Sequence, residues 1–149
     1  MSKTSPLNPK LLTFGAFFSF LIFGFVDNIK GPTLPIILTD FNFSYSIGGS
    51  IILVAYFGFL VATLITGPAA DRVGNKAIII FAGLFLLFGL GGYSLSMKAW
   101  MLTTAMFFIG MGIGAIEVGG NLIILDIHSH DKGRFLNLLA LCHGAGSMA

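Results

Sequence analysis

The chain has 149 residues, of which 56% are hydrophobic and only 9% are charged, and its formal net charge is +2. Soluble domains carry about a quarter charged residues, so this composition excludes an ordinary soluble domain and favours a membrane protein. It also excludes a nucleic-acid-binding protein, because that class clusters Lys and Arg on one face. The single cysteine, Cys142, has no partner for a disulfide within the chain.

Long apolar runs predict four complete membrane-spanning helices and the start of a fifth, since a span needs about 20 helical residues. The first expected span covers residues 11–38 and is interrupted in its later part by Gly31, Pro32 and Pro35. The others are expected at residues 47–69, 77–97 and 101–125, and the incomplete fifth at 135–149.

Asp27 lies in the first span, a few residues beyond its middle. A carboxylate at that depth costs about 2.5–3.5 kcal/mol to insert, so it is expected to face a cavity or a partner. Gly24 and Gly31 share its helix face and would leave room for water or a solute. Alternatively, the span ends at Val26, and Asp27 is an interfacial residue that pairs with Lys30.

A polar segment from Gly67 to Lys76 connects the second and third spans. Gly74 can adopt a positive φ, and Asp71 can accept backbone N–H bonds at the start of a turn. From these residues alone, a plain charged turn that stops both spans is an equal alternative.

This segment resembles the G-x-L-A-D-R-x-G-R-K-R loop motif of the major facilitator superfamily, which lies between the second and third helices of those carriers. The matching residues are Gly67, Ala70, Asp71, Arg72, Gly74 and Lys76, whereas Ala69, Asn75 and Ala77 depart from the motif. The resemblance implies a twelve-helix carrier with two six-helix halves. It also implies that Asp71 and Arg72 help to latch those halves in one state.

Glu117 lies well inside the fourth span, with eight uncharged residues on each side. A short Glu side chain cannot reach an interface from there, so it is expected to be protonated, paired or facing water. Asn121 follows at i+4 on the same face and could hydrogen-bond to Glu117 or to a sugar hydroxyl. Gly110 and Gly114 would allow close contact with another helix. A protonated Glu117 that only bridges helices is the alternative.

Asp27 and Glu117 together predict a proton-coupled carrier. The expected spans place the two carboxylates on the order of 10 Å apart in depth, near the middle of the membrane. One of them can exchange protons while polar neighbours hold a solute.

An acid in the first helix, and a fourth helix in which Glu117 precedes a Gly-Gly-Asn sequence, resemble the fucose permease and glucose/galactose transporter branch. Residues 133–139 at the start of the fifth helix are similar to that branch as well. Members often have a His where this chain has Ala140, whereas His143 stands three residues later. The resemblance implies proton-coupling roles for Asp27 and Glu117. The candidate solute contacts are Asn28, Asn121 and His143.

Residues 126–131 contain two histidines and two aspartates. A metal site is imaginable there, but Lys132 and Arg134 adjoin the segment, so a solvated loop without metal is expected. The sequence shows neither a nucleophile with a nearby base nor a phosphate-binding loop. The chain is therefore expected to be neither an enzyme nor dependent on a cofactor.

The basic residues predict a cytoplasmic N-terminus, because six of the eight then lie inside. The inside residues are Lys3, Lys10, Arg72, Lys76, Lys132 and Arg134, and the outside ones are Lys30 and Lys98. The sequence stops within an apolar segment at Ala149, which indicates a truncated chain that lacks the C-terminal part of a carrier.

The sequence thus predicts an all-α polytopic protein of the plasma (inner) membrane, comprising four complete helices and part of a fifth from a twelve-helix major facilitator fold. The expected activity is secondary transport of a small solute, a sugar by proton symport. Lipid, protons, the solute and the missing C-terminal half are the expected partners. A small four-helix multidrug exporter and a non-transporting membrane scaffold are the alternatives.

Overall fold

The structure is a computed structural model that describes residues 8–148 as a bundle of five helices, with no strand in that range. The helices are α1 Pro9–Asp40, α2 Tyr45–Val73, α3 Asn75–Ser94, α4 Ala99–Ile127 and α5 Lys132–Ser147. The first four are long and apolar enough to cross a membrane. The predicted all-α polytopic fold class is confirmed.

Successive helices run in opposite directions, so the bundle has two ends. At the Gly74 end, α1 begins, α2 meets α3 and α4 meets α5. At the Asp40 end, α1 connects to α2 and α3 connects to α4. The helices extend a few residues beyond the expected spans, except that α3 ends at Ser94 and not at residue 97.

The central helix of the bundle is α4, which contacts α1, α2 and α3. Glycines permit these contacts, as small residues do between membrane helices. A Cβ atom on Gly110 would overlap the carbonyl of Ala55 in α2, and one on Gly120 would press on the ring of Phe20 in α1. Glycine at position 110 lets the backbones of α2 and α4 approach, and glycine at position 120 makes room for the Phe20 ring.

The fifth helix packs mainly against α1. A Cβ atom on Gly24 would overlap the carbonyl of His143, and one on Gly146 would overlap the carbonyl of Leu21. This reciprocal pair of glycines brings the two helix backbones into direct contact. Gly24, which the sequence suggested would leave space beside Asp27, is therefore covered by α5.

The first helix is continuous over 32 residues even though Pro32 and Pro35 lie inside it. The interruption expected at these prolines is therefore wrong, since membrane helices tolerate proline where neighbouring groups satisfy the freed carbonyls. Proline has no N–H, so the carbonyls four residues earlier, those of Asn28 and Gly31, lose their usual intrahelical partners.

Gly74 is the one residue between α2 and α3, and it has the predicted positive φ, +86°. The rest of the expected polar turn from Gly67 to Lys76 is wrong, because both helices extend into it. Asp71 does not start a turn. It lies with Arg72 in the last turn of α2, and both side chains are exposed.

The segment between α4 and α5 packs more closely than the expected solvated loop. His128 Nε2 lies 2.9 Å from the hydroxyl of Thr13, and the imidazole stacks on Phe135 with ring centroids 3.5 Å apart. Asp126 accepts a 2.6 Å hydrogen bond from the side chain of Asn75. These contacts tie the last turn of α4 to α1, α3 and α5. Within residues 8–148, no cluster of His, Cys, Asp and Glu is arranged to hold a metal.

Candidate functional site

A cavity of about 300 Å³ lies between α1, α2 and α4, in the half of the bundle toward the Asp40 end. Asp27 and Lys30 are the charged residues that line it. Its volume is at the lower limit of pockets that hold small molecules. The remaining lining residues are Asn28, Gly31, Leu34, Pro35, Ile52, Ala55, Tyr56 and Met106.

Asp27 and Lys30 form an ion pair, with 2.7 Å between Oδ1 and Nζ. They stand three residues apart on α1, a spacing that puts both side chains on one face. The ammonium also lies 5.9 Å from the ring centroid of Tyr56 in α2, within cation–π range. The pairing that the sequence left open is therefore present, and Asp27 has both a partner and a cavity beside it.

Gly31 is an open position on the wall of this cavity. A Cβ atom built there would meet no atom within 4 Å. The freed carbonyls of Asn28 and Gly31 belong to residues that line the same cavity. This part of α1 therefore places the Asp27 carboxylate beside an uncrowded stretch of backbone.

Glu117 faces the gap between α1 and α2. At about 100° per residue, it lies about 60° around α4 from Gly120, which contacts α1, and about 60° from Gly114, which contacts α2. The first and second helices make few contacts with each other, so the direction between them is open. The side chain of Glu117 is half-buried.

Met106 connects this position with the cavity. It lies on nearly the same face of α4 as Glu117 and lines the cavity about three turns nearer the Asp40 end. Heights along the bundle can be measured from the level at which Phe20 of α1 meets Gly120 of α4. From that level, Asp27 lies roughly 10 Å and Glu117 roughly 5 Å toward the Asp40 end. The two residues thus lie at levels that differ by roughly 6 Å along the bundle, and Glu117 itself is not among the residues that line the cavity.

The candidate solute contacts are dispersed. Asn28 lines the cavity, but its amide donates a hydrogen bond to the backbone carbonyl of Ser147 in α5. Asn121 is half-buried and lies one turn beyond Glu117 toward the Gly74 end. The ring of His143 packs on Phe23 with centroids 4.3 Å apart, outside the cavity lining.

His143 has one unusual feature, since its Nε2 atom is buried and has no hydrogen-bond partner among the described residues. Its carbonyl is the group that Gly24 approaches. The structure therefore places His143 at the contact between α1 and α5, whereas the cavity lies between α1, α2 and α4.

The loop-motif residues lie at the Gly74 end, away from the cavity. Asp71, Arg72, Gly74 and Lys76 are exposed, and Gly67 is half-buried. They are available to another part of a larger protein.

Two cavity residues were not singled out as solute contacts from the sequence, namely Lys30 and Tyr56, whereas Gly31 was expected to leave room beside Asp27. Lys30 was considered only as a surface partner of Asp27, and Tyr56 lies on a different helix. A lysine one turn after a membrane-embedded acid was the available signal, because such charges pair or face water.

Comparison with known proteins places the chain in a family. Residues 16–149 match the model of the Major Facilitator Superfamily. The chain is 29% identical to the "Sodium-dependent glucose transporter 1" of Danio rerio, over 99% of the chain and 25% of that relative. It is 24% identical to the "D-xylose transporter" of Levilactobacillus brevis, over 75% of the chain and 24% of that relative.

A third relative is named for an aromatic acid and not for a sugar. The chain is 29% identical to the "4-hydroxybenzoate transporter PcaK" of Acinetobacter baylyi, over 82% of the chain and 27% of that relative. The chain spans about a quarter of the length of these three relatives. Because the family model covers nearly all of its residues and four helices can span a membrane, the chain belongs to the Major Facilitator Superfamily.

Proposed function

We propose that this chain is the N-terminal portion of a secondary transporter that moves a small sugar together with protons across the plasma membrane. The proposal rests on two carboxylates inside the helix bundle: Asp27, which lines the cavity, and Glu117, which is directed between α1 and α2 roughly 6 Å deeper. Membership of the superfamily and the sugar-transporter names of two relatives support it.

Protons would be exchanged at Glu117. The ion pair within residues 8–148 joins Lys30 with Asp27, so Asp27 already has a cation beside it. Glu117 has no such neighbour in that range, and it is directed between α1 and α2. A carboxylate near the middle of a membrane that lacks a fixed cation is suited to gain and lose a proton as the gap opens to either side.

The solute would bind in the cavity beside Asp27. Carboxylate and carbonyl oxygens accept hydrogen bonds from sugar hydroxyls. The ammonium of Lys30 donates hydrogen bonds to the oxygens of the same hydroxyls. Asn28 lies at the edge of this cavity, and Asn121 lies deeper in the gap. The roles of these two residues as solute contacts remain part of the proposal, as does that of His143.

The missing C-terminal half would provide the opposite wall of the transport path. In such carriers the site lies between two halves that rock around it. The Gly74 end would face the cytoplasm, as the excess of Lys and Arg there indicates, and Asp71 and Arg72 would contact the other half. We therefore expect the 149-residue chain to catalyse no transport alone.

Sodium coupling is the second candidate, and two observations favour it. One relative is named a sodium-dependent glucose transporter. In addition, Asp27 lines the cavity together with Asn28 and Gly31, and carboxylate and carbonyl oxygens suit Na⁺. The ammonium of Lys30 opposes it, because it already sits at the Asp27 carboxylate.

Uptake by the complete carrier in proteoliposomes tests these possibilities. Labelled D-glucose and D-xylose are supplied with an inward proton gradient, an inward Na⁺ gradient or neither. We expect accumulation with the proton gradient. Accumulation with the Na⁺ gradient alone would indicate that sodium, and not the proton, is the coupling ion. Export of hydrophobic cations without sugar uptake would indicate a multidrug exporter, and no flux of any solute would indicate a scaffold.

A further inference from the structure

Lys30 is held in the cavity by contacts with two helices. Its ammonium donates to Asp27 on α1 over 2.7 Å and lies 5.9 Å from the ring of Tyr56 on α2. An ammonium has three N–H donors, so one bond to Asp27 leaves others for a solute. These two contacts place the charge between a carboxylate and an aromatic face at the wall of the cavity.

The other polar groups of the cavity are mainly acceptors. Asp27 keeps a second carboxylate oxygen as an acceptor, and Pro32 and Pro35 remove N–H donors from this part of α1. The amide of Asn28 already donates to Ser147. The cavity therefore presents a carboxylate acceptor beside one ammonium donor.

The net charge of the cavity is zero, because Asp27 and Lys30 are its charged lining residues and they neutralise each other. A hydroxyl group can donate to the acceptors and accept from the ammonium. A carboxylate can only accept, and it would compete with Asp27 for Lys30 while lying next to a like charge. The cavity thus suits an uncharged polyhydroxylated solute and disfavours an anion.

We propose that the Asp27–Lys30 ion pair selects solutes by charge, with Lys30 as the specificity-determining residue, so that the cavity accepts uncharged polyols and rejects carboxylates. The use of the site in transport rests on the proposed function. The charge selection itself requires only binding. It therefore has a test that does not depend on the coupling ion or on translocation.

Binding of two labelled probes, D-glucose and 4-hydroxybenzoate, is measured on the purified complete carrier in lipid nanodiscs. Asp27→Asn removes the negative charge and leaves Lys30 unneutralised. We expect this variant to bind 4-hydroxybenzoate about tenfold or more tightly than the unaltered protein, because a half-buried cation that has lost its carboxylate partner favours an anion. Its binding of the benzoate should also weaken as salt is added.

Variants of Lys30 give the reverse result. Lys30→Met nearly keeps the length of the side chain but leaves Asp27 without its cation, so glucose binding should fall about tenfold or more, and 4-hydroxybenzoate should bind no more tightly than it does to the unaltered protein. Lys30→Arg should retain glucose binding. The double variant Asp27→Asn with Lys30→Met should lose the benzoate binding that Asp27→Asn gains, which attributes that gain to Lys30.

Lys98→Met is the matched control, because Lys98 is exposed at the start of α4 near the same end of the bundle. It should change neither affinity. Size-exclusion profiles and melting temperatures show whether each variant is folded. If Lys30→Met does not fold, Lys30→Arg is used to test the residue instead.

The proposal is overturned if Asp27→Asn gains no affinity for 4-hydroxybenzoate, or if the double variant keeps that gain. If the unaltered carrier binds neither probe, the proposal is decided by whether Asp27→Asn gains affinity for 4-hydroxybenzoate. A carrier that shows the charge selection but accumulates no sugar contradicts the proposed function only. A carrier that transports sugar with unchanged selectivity in these variants contradicts the role of Lys30 only.

Discussion

Asn75 donates a 2.6 Å hydrogen bond to the carboxylate of Asp126, which joins the first residue of α3 to the last turn of α4. Asn75 is also a position where the loop motif of the superfamily has a basic residue and this chain does not. The amide therefore makes a polar link between the two helices at the place where the motif would supply a charge.

Loss of this hydrogen bond should destabilise the bundle slightly. Asn75→Ala is expected to lower the free energy of unfolding by about 0.5–1.5 kcal/mol, since the bond is exposed to solvent at the Gly74 end. Asn75→Arg should keep or strengthen the contact, because it places a cation beside Asp126. Asn75→Asp places two like charges together and should be the least stable. Thermal unfolding in detergent ranks the three, and an Asn75→Asp protein as stable as Asn75→Arg would contradict this assignment.

The contact between α2 and α4 should be sensitive to side-chain size at Gly110. A Cβ atom there would overlap the carbonyl of Ala55, so the helices must separate. We expect Gly110→Ala to cost about 1–3 kcal/mol of stability, as overpacking does. Gly83→Ala is the control, since nothing lies within 4 Å of the added atom. Equal melting temperatures for both variants would refute the close approach.

Filling the cavity should abolish solute binding without unfolding the protein. Gly31 borders the cavity and has no atom within 4 Å of a built Cβ, so Gly31→Leu is expected to occupy the space without a backbone clash. Gly15→Leu is the control on the same helix, because that position is also open and does not line the cavity. D-glucose binding should be lost in the first variant only. Retained binding in Gly31→Leu would place the solute elsewhere.

The membrane helices could be predicted from the sequence because each one is a long apolar run, and only an α-helix satisfies its backbone within such a run. The positive φ of Gly74 also followed from residue type. The extent of α2 did not, because Gly67 and Pro68 are usually associated with helix ends, whereas this helix continues through both.

The arrangement of the site was harder to predict, because it depends on which faces of three helices meet. Sequence spacing showed that Asp27 and Lys30 could pair, but not that Tyr56 of α2 would lie beside them. In the same way, Gly24 and Gly31 share a face in the sequence pattern. Packing of α5 covers the first and leaves the second open.

The contacts at the Gly74 end show the same limit. His128 was expected in a solvated loop, and it instead lies against Thr13 and Phe135. Thr13 is far from it in the chain, so no local pattern indicates the pairing. Long-range contacts of this kind follow from helix packing and cannot be read from one segment.

Proton exchange at Glu117 is tested most directly by Glu117→Gln in the complete carrier, with Glu117→Asp as the control that keeps the carboxylate. Two fluxes are compared in proteoliposomes, namely glucose exchange between equal concentrations and glucose accumulation driven by a proton gradient. Since Gln cannot release a proton, we predict that Glu117→Gln retains exchange and loses accumulation. Accumulation in Glu117→Gln equal to that of the unaltered carrier would contradict the account.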